Sequence, residues 1–218
     1  MSAKLQETLA TYHDVRFTYD ARRTAVWRVL AEYLQQWVDA EGGCLELGAG
    51  YGEFSWEIQA RRKWALDVNP ALAAHWGEAV TPLVQSALEP LPLPDCSLST
   101  VFASNFFEHF TLEQGAEILA EVRRVLRPGG RLIAVQPNFR LEPYRYFDDY
   151  THRTAYTDTG FGDFLTASGF SIAHSEPRFT PFSMKSRFPV AESLIRLYLA
   201  LPYRPMAGQF LVVAERRD

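Results

Sequence analysis

Hydrophobic and polar residues follow one another along the chain in a pattern that predicts strands separated by helices. Six short apolar runs predict strands at 44–48, 63–69, 81–87, 98–107, 131–137 and 208–216. Apolar residues at helical spacing predict helices between them at 22–39, 53–62, 70–80, 111–126 and 158–169. This alternation is typical of a mainly parallel sheet with helices on both faces, although it does not give the order of the strands.

Turn and capping residues support several of these boundaries. Pro70 lies in the first turn of its predicted helix, a position that favours proline. Thr111 and Gln114 have the spacing of a capping box, in which each side chain bonds the other residue's backbone N–H. The sequence Arg-Pro-Gly-Gly at 127–130 is expected to end the helix that Thr111 begins.

Composition and charge narrow the class of protein. The chain has 218 residues, of which 47% are hydrophobic and 22% charged, as expected for one globular domain. A net charge of −4 argues against a general nucleic-acid-binding protein. Cys44 and Cys96 are far apart in the sequence and signal neither a disulfide framework nor a zinc site. With no signal peptide and no apolar run of about 18 residues, we expect a cytoplasmic protein.

The stretch LELGAGYGEF places glycines at 48, 50 and 52, directly after the first predicted strand. In α/β sheets ligands bind at this end of the strands, where glycine lets the backbone approach them. A dinucleotide motif would need its third glycine at position 53, which is Glu53, and a carboxylate would repel a pyrophosphate. Glu46 and Asp67 instead favour a ligand that has a ribose and positive charge but no phosphate.

Four segments, LELGAGYGEF, ALDVNP, SNFFEHF and RVLRPGGRLIAVQPN, together resemble the class I S-adenosylmethionine-dependent methyltransferases, within a bacterial type 11/12-like subgroup. The resemblance covers roughly residues 17–216. It implies a Rossmann-like three-layer α-β-α sandwich whose seven-stranded, mainly parallel sheet has an antiparallel last strand. It also implies one domain over 1–218, with an N-terminal lid at 1–40, a cofactor-binding core at 41–140, substrate-side loops and an insert at 141–206, and a closing strand at 207–218.

The same resemblance implies roles for individual residues in binding S-adenosyl-L-methionine. The turn that holds its methionine part corresponds to Glu46, Gly48, Ala49, Gly50 and Gly52. Asp67 corresponds to the ribose-binding acid, Val68 to a neighbour of the adenine, and Asn105 to the residue beside the reacting methyl group. Ser86 replaces a common acid, which leaves backbone groups of Ala87 and Leu88 for the adenine. Phe17, Tyr19 and Arg22 are candidates for the lid.

Three residues are candidates for catalysis. His109 follows the fourth predicted strand and could remove a proton near neutral pH, or could be a hydrogen-bonded part of a loop. Asp149 and His152 lie in YRYFDDYTHR, which is either a loop facing the substrate or a polar cluster that orders itself. Their spacing is not typical of a metal site, so no metal is predicted.

The segment 185–205 is basic and apolar. Val190, Leu194, Leu197, Tyr198 and Leu201 would share one helical face. This face is either an ordinary core helix or a surface that covers a substrate, contacts a second subunit in a homodimer, or touches a membrane peripherally.

The sequence therefore predicts methyl transfer from S-adenosylmethionine to a small-molecule or glycan-type acceptor. One alternative is a catalytically silent protein that binds S-adenosylmethionine as a sensor or scaffold. A nicotinamide dinucleotide-binding oxidoreductase is a further alternative, which Glu53 disfavours.

Overall fold

The computed structural model describes residues 22–181 and 191–218. Its central element is a sheet of seven strands in the order β3-β2-β1-β4-β5-β7-β6. The strands are β1 (Gly43–Leu47), β2 (Arg62–Asp67), β3 (Val80–Val84), β4 (Leu98–Ser104), β5 (Leu126–Pro137), β6 (Phe170–Glu176) and β7 (Gln209–Arg216). Strand β7 runs antiparallel to β5 and β6, while the other pairs are parallel. The predicted sheet with an antiparallel last strand is confirmed.

In the described ranges, six α-helices pack around this sheet. They are α1 (Arg22–Leu34), α2 (Glu53–Glu57), α3 (Pro70–Ala73), α4 (Leu112–Val125), α5 (Asp158–Ala167) and α6 (Glu192–Ala200). Short 3₁₀ turns lie at Gln35–Trp37, Phe107–His109 and Tyr146–Asp148. The capping box of α4 is present, with Thr111 and Gln114 each bonding the other's backbone N–H.

Two predicted helices are shorter in the structure, and one strand of the structure was not predicted. The helix predicted at 53–62 ends at Glu57 because Ile58 adopts an extended backbone. The helix predicted at 70–80 is one turn long and ends at Ala73. Strand β6 was not predicted, since Phe170 is its one fully buried residue and its apolar alternation is weak.

Two hydrophobic clusters cover opposite faces of the sheet. Leu119 of α4 and Phe161 of α5 lie in one cluster, and Leu30 of α1, Phe54 of α2 and Leu199 of α6 lie in the other. Burying a side chain of this size typically stabilises a fold by about 1.5–3 kcal/mol. The sheet therefore lies between two helical layers, as predicted.

Strand order determines where a ligand can bind. Strand β1 lies between β2 and β4. The chain adds β2 and β3 on one side of β1 and then crosses to add β4 on the other side, so the strand order reverses at β1. Such a reversal opens a crevice at the carboxyl ends of the strands. From the strand order we expect a ligand to bind where β1, β2 and β4 end.

The basic, apolar segment has two different faces in its described part. Ile195, Tyr198 and Leu199 pack against the cluster that contains α1. Leu194 and Leu197 of the predicted face are 59% and 60% exposed, whereas Tyr198 of the same face packs against the cluster, so the face is only partly buried. Val190 lies outside the described residues. Among the described helices, none is long and apolar enough to cross a membrane.

Ion pairs join α6 to α1. The Arg28 guanidinium lies 2.8 Å from the Glu192 carboxylate, and that of Arg196 lies 2.8 Å from Glu32. Each pair connects residues 164 positions apart in the sequence. Part of the segment is thus a helix, α6, that packs against α1.

Candidate functional site

The turn after β1 has a backbone that side chains would disturb. Gly48, Gly50 and Gly52 have φ angles of 62°, 55° and 80°, in the left-handed region that favours glycine. A Cβ atom on Gly48 would lie 2.6 Å from the Phe106 ring, and one on Gly52 would lie 2.5 Å from Trp76. All three glycines are therefore needed for their backbone angles, and Gly48 and Gly52 also for close packing.

Asp67, the last residue of β2, fixes this turn. Its Oδ2 accepts the backbone N–H of Gly50 at 3.0 Å, and its Oδ1 accepts that of Asn69 at 3.0 Å. The indole N–H of Trp76 donates to the Gly50 carbonyl at 2.8 Å. A carboxylate oxygen can accept more than one hydrogen bond, so Asp67 can still receive hydroxyl groups of a ligand. The sequence indicated Asp67 but not Trp76, because a tryptophan in an apolar stretch is usually core.

Glu46 adds a second buried carboxylate at the end of β1. Its Oε2 accepts the Ser55 hydroxyl at 2.5 Å and the Ser55 backbone N–H at 3.1 Å. Burial raises the pKa of Glu46 to about 8 despite these two bonds. With Asp67, it gives the turn a set of acceptors that suits hydroxyl and cationic groups better than phosphate.

The residues predicted to border an adenine follow strands β2 and β3, and their side chains differ in exposure. Val68, directly after β2, is 64% exposed, whereas Ala87 is buried. The N–H of Leu88 donates to the Ser86 hydroxyl at 3.2 Å, so Ser86 organises the backbone where an acid was expected. Ala49 is buried and its N–H donates to the Leu66 carbonyl at 2.9 Å.

Asn105 follows β4 with a φ of 48°, a conformation that asparagine tolerates better than most residues. Its N–H donates to the Val135 carbonyl at 2.9 Å, and its side-chain oxygen accepts the amide of buried Gln209 at 2.5 Å. Gln209 in turn accepts the Thr180 hydroxyl. This support from β7 was missed, because the sequence pattern does not show that β7 lies beside β5.

His109 is connected to Asp149 through Thr151. The Thr151 hydroxyl donates to Asp149 Oδ1 at 2.6 Å and lies 2.9 Å from His109 Nδ1. A hydroxyl has one proton, and Asp149 receives it, so this contact favours the tautomer in which His109 Nδ1–H donates to Thr151. The basic nitrogen of the neutral imidazole is then Nε2.

Glu108 lies between the two predicted histidines. Its Oε1 is 3.9 Å from Nε2 of His109 and 3.9 Å from Nε2 of His152. The side chain is fully buried, and neither oxygen makes a hydrogen bond of ordinary length and angle among the residues that the structure describes. Burial raises the pKa of Glu108 to about 8.

Burial also lowers the pKa of His109 to about 4, with a further contribution from His152. The expectation of a histidine that titrates near neutral pH is therefore not met. His109 comes from one segment and Asp149 and His152 from another, and a backbone bond holds the two together: the N–H of Arg153 donates to the Glu108 carbonyl at 2.7 Å. The structure thus groups all three predicted catalytic residues.

The predicted lid is only partly described. Phe17 and Tyr19 lie outside the described residues, as does the side chain of Arg22. Arg23 instead contacts the site, with its Nε 3.0 Å from Glu53 Oε1. Glu53 is thus part of an ion pair at the start of α2.

Comparisons with known proteins agree with this geometry. Residues 45–134 match the family model described as a methyltransferase domain. A probable S-adenosylmethionine-dependent methyltransferase of Mycolicibacterium smegmatis is 40% identical over 101 residues, covering 45% of this chain and 37% of the relative. Malonyl-[acyl-carrier protein] O-methyltransferase of Methylococcus capsulatus is 31% identical over 176 residues, covering 73% of this chain and 62% of the relative.

Among solved structures, a methyltransferase of Archaeoglobus fulgidus aligns with a TM-score of 0.69 at 17% identity, covering 96% of this chain and 99% of that one. That likeness supports the fold. The chain spans between 37% and 62% of the length of the two curated relatives.

Proposed function

We propose that this chain, which has the domain and fold of the class I S-adenosylmethionine-dependent methyltransferases, transfers a methyl group from S-adenosylmethionine to a small-molecule or glycan-type acceptor. The observation that carries the proposal is the bond from Gly50 N–H to Asp67 at the end of β2. It joins a turn of three left-handed glycines to a carboxylate that can also accept ribose hydroxyls.

The residues of the crevice fit this cofactor by their chemistry. When bound, S-adenosylmethionine supplies a methyl group on a sulfonium; the S–C bond breaks with its electron pair left on sulfur as the acceptor's bond to carbon forms. Gly48, Gly50 and Gly52 would hold its methionine part, and Glu46, once ionised, would offer negative charge for its cationic groups. The chain's main task is then to align the acceptor, because the leaving group is already activated.

The acceptor side of the site would be the group formed by Glu108, His109, Asp149 and His152. A hydroxyl acceptor must lose a proton, and in the absence of a bound ion His109 Nε2 would receive it. The adjoining loop exposes three aromatic side chains, Tyr144 (96%), Phe147 (55%) and Tyr150 (57%). Exposed aromatics around a polar site are typical of surfaces that bind ligands, and they would suit the faces of a planar molecule or a sugar ring.

Two measurements test the proposal. Calorimetry should give saturable binding of S-adenosylmethionine and its demethylated product, and none of a nicotinamide dinucleotide. A labelled-methyl assay against hydroxyl-bearing metabolites and oligosaccharides should then yield a labelled product. Binding without turnover across the panel would favour the sensor or scaffold alternative, while preferential binding of the dinucleotide would overturn the assignment.

A further inference from the structure

Glu108, His109 and His152 bring one carboxylate and two imidazoles together at the carboxyl end of β4. Their nearest donor atoms all lie within 4.8 Å of one another, and Glu108 Oε1 is 3.9 Å from each Nε2. We propose that these three residues bind a divalent first-row transition-metal ion. The proposed methyl transfer does not by itself require such an ion.

The distances fit this site after a small movement. Nitrogen and oxygen ligands lie about 2.0–2.2 Å from such an ion, so two of them can be at most about 4.2 Å apart. The observed separations reach 4.8 Å, so the side chains need to close by less than an ångström.

The two segments that carry the ligands are already joined by their backbones. The Arg153 N–H donates to the Glu108 carbonyl at 2.7 Å, and the Thr154 hydroxyl donates to the Phe110 carbonyl at 2.7 Å. Side chains can therefore close on an ion without a rearrangement of the loop.

The buried carboxylate of Glu108 is an independent argument for an ion. Both of its oxygens are buried, and in the described part of the chain neither makes a hydrogen bond of ordinary length and angle, although the backbone N–H groups of Phe106 and Glu108 are close enough to lower its pKa. A buried carboxyl group is unfavourable in its ionised form unless it is hydrogen-bonded, paired with a charge, or bound to a metal, and otherwise it takes up a proton. A cation between Glu108 and the two imidazoles would satisfy it.

His109 has the outer partner that metal-bound histidines commonly have. Its Nδ1–H donates to Thr151 Oγ1 at 2.9 Å, and Thr151 donates to Asp149 at 2.6 Å. Such a chain fixes the ring and directs the lone pair of Nε2 to a metal. The Asp149–Thr151 pair therefore belongs to the site without touching the ion.

The donor set indicates the class of ion. Imidazole ligands suit zinc, iron(II), cobalt(II) and nickel(II), whereas magnesium and calcium prefer oxygen ligands. Three protein ligands leave a coordination position open. If the proposed methyl transfer holds, that position would take the acceptor oxygen and lower its pKa, and His109 would act as a ligand to the ion.

Cobalt(II) is a suitable probe because its visible absorption reports its ligands. Protein freed of metal with a chelator should bind one Co²⁺ per chain saturably, and Zn²⁺ should displace it while Mg²⁺ should not. Glu108→Gln and His152→Ala should each weaken Co²⁺ binding by at least about tenfold. His75→Ala, which removes an exposed imidazole from another part of the surface, should bind Co²⁺ like the wild type.

Absence of saturable Co²⁺ binding to the wild type would overturn the site, as would unchanged affinity in Glu108→Gln. Circular dichroism should show that each variant is folded; because Gln has nearly the shape of Glu, Glu108→Gln keeps the test valid if His152→Ala does not fold. The assay needs neither cofactor nor turnover. Co²⁺ binding without S-adenosylmethionine binding would therefore support the metal site and contradict the proposed function separately.

Discussion

The carboxylate of Asp67 accepts the backbone N–H of Gly50 at 3.0 Å, so the end of β2 holds the turn that follows β1. One side chain thereby has two tasks, since it shapes the glycine turn and can still accept hydroxyls from a ligand. A change at Asp67 should affect the backbone of the turn together with ligand binding.

Asp67→Ala should weaken binding of S-adenosylmethionine by about 1–3 kcal/mol, because both the Gly50 N–H and the ribose hydroxyls lose an acceptor. Isothermal titration calorimetry would measure this loss. Asp163→Ala, which removes an exposed carboxylate from α5, should leave affinity unchanged. A folded Asp67→Ala protein with wild-type affinity would exclude Asp67 from the cofactor site.

Gly48→Ala should lower both stability and cofactor affinity. A left-handed backbone costs an alanine about 1–2 kcal/mol, and contact of the new methyl with Phe106 adds roughly 1–3 kcal/mol. Gly77→Ala is a matched control, because Gly77 also has a positive φ of 73° but no atom within 4 Å of its Cβ position. Equal losses of unfolding free energy in the two variants would show that the Phe106 contact is unimportant.

Affinity for S-adenosylmethionine should rise with pH up to about 8, where Glu46 titrates in the ligand-free protein. Below that pH Glu46 is mostly protonated, and a cationic ligand favours its ionised form, so binding releases a proton. Linkage then makes affinity increase by at most about tenfold per pH unit.

Glu46→Gln should remove this part of the pH dependence in calorimetry at several pH values. The amino group of the ligand titrates in the same way whichever protein is present. The difference between the slopes of affinity against pH for the wild type and Glu46→Gln is therefore due to Glu46. Parallel slopes would mean that Glu46 keeps the same protonation state when the cofactor binds.

His109→Ala should reduce turnover on the order of 10²-fold once an acceptor is known, while affinity for S-adenosylmethionine stays close to wild type. Thr151→Val should cost less, about tenfold, because it removes only the hydroxyl that joins His109 to Asp149. Thr151→Ser should restore activity by returning that hydroxyl. Wild-type turnover in His109→Ala would mean that alignment alone accounts for the rate.

Asp149→Asn and His152→Ala should likewise lower turnover with little change in cofactor affinity. The melting temperature distinguishes a loop that faces the substrate from the alternative, in which these polar residues only stabilise the loop. If cofactor affinity and melting temperature fall together with activity, the loop has a structural role.

The sequence was sufficient to predict the fold where local patterns are strong. Leu119 and Val122 of α4 repeat at helical spacing, and the cap at Thr111 marks where that helix begins. β6 has no comparable pattern, because it lies at the edge of the sheet and much of its surface is solvent-exposed. The apolar pattern also predicted too long a helix after Glu57, because the chain there becomes extended before it enters β2.

The site was predictable where its residues are close in sequence. The glycine turn and the acid at Asp67 could be read from one stretch of chain. The contact of His152 with Glu108 could not, because it depends on how the loop after β5 packs against the end of β4. Periodicity contains no information on such packing, so no pattern in the chain linked a carboxylate from one segment with a histidine from another.

The ion pairs between α1 and α6 bear on the rates at which a ligand enters and leaves the site. α1 also contacts α2 beside the glycine turn, through Arg23 with Glu53 and an edge-to-face contact of Trp27 with Phe54. Ligand exchange that displaces α1 must therefore move α6 too. Exposed pairs such as Arg196–Glu32 contribute only about 0–1 kcal/mol and are screened by salt. Rising ionic strength should thus speed the entry and release of ligand, with little effect on the sheet beneath.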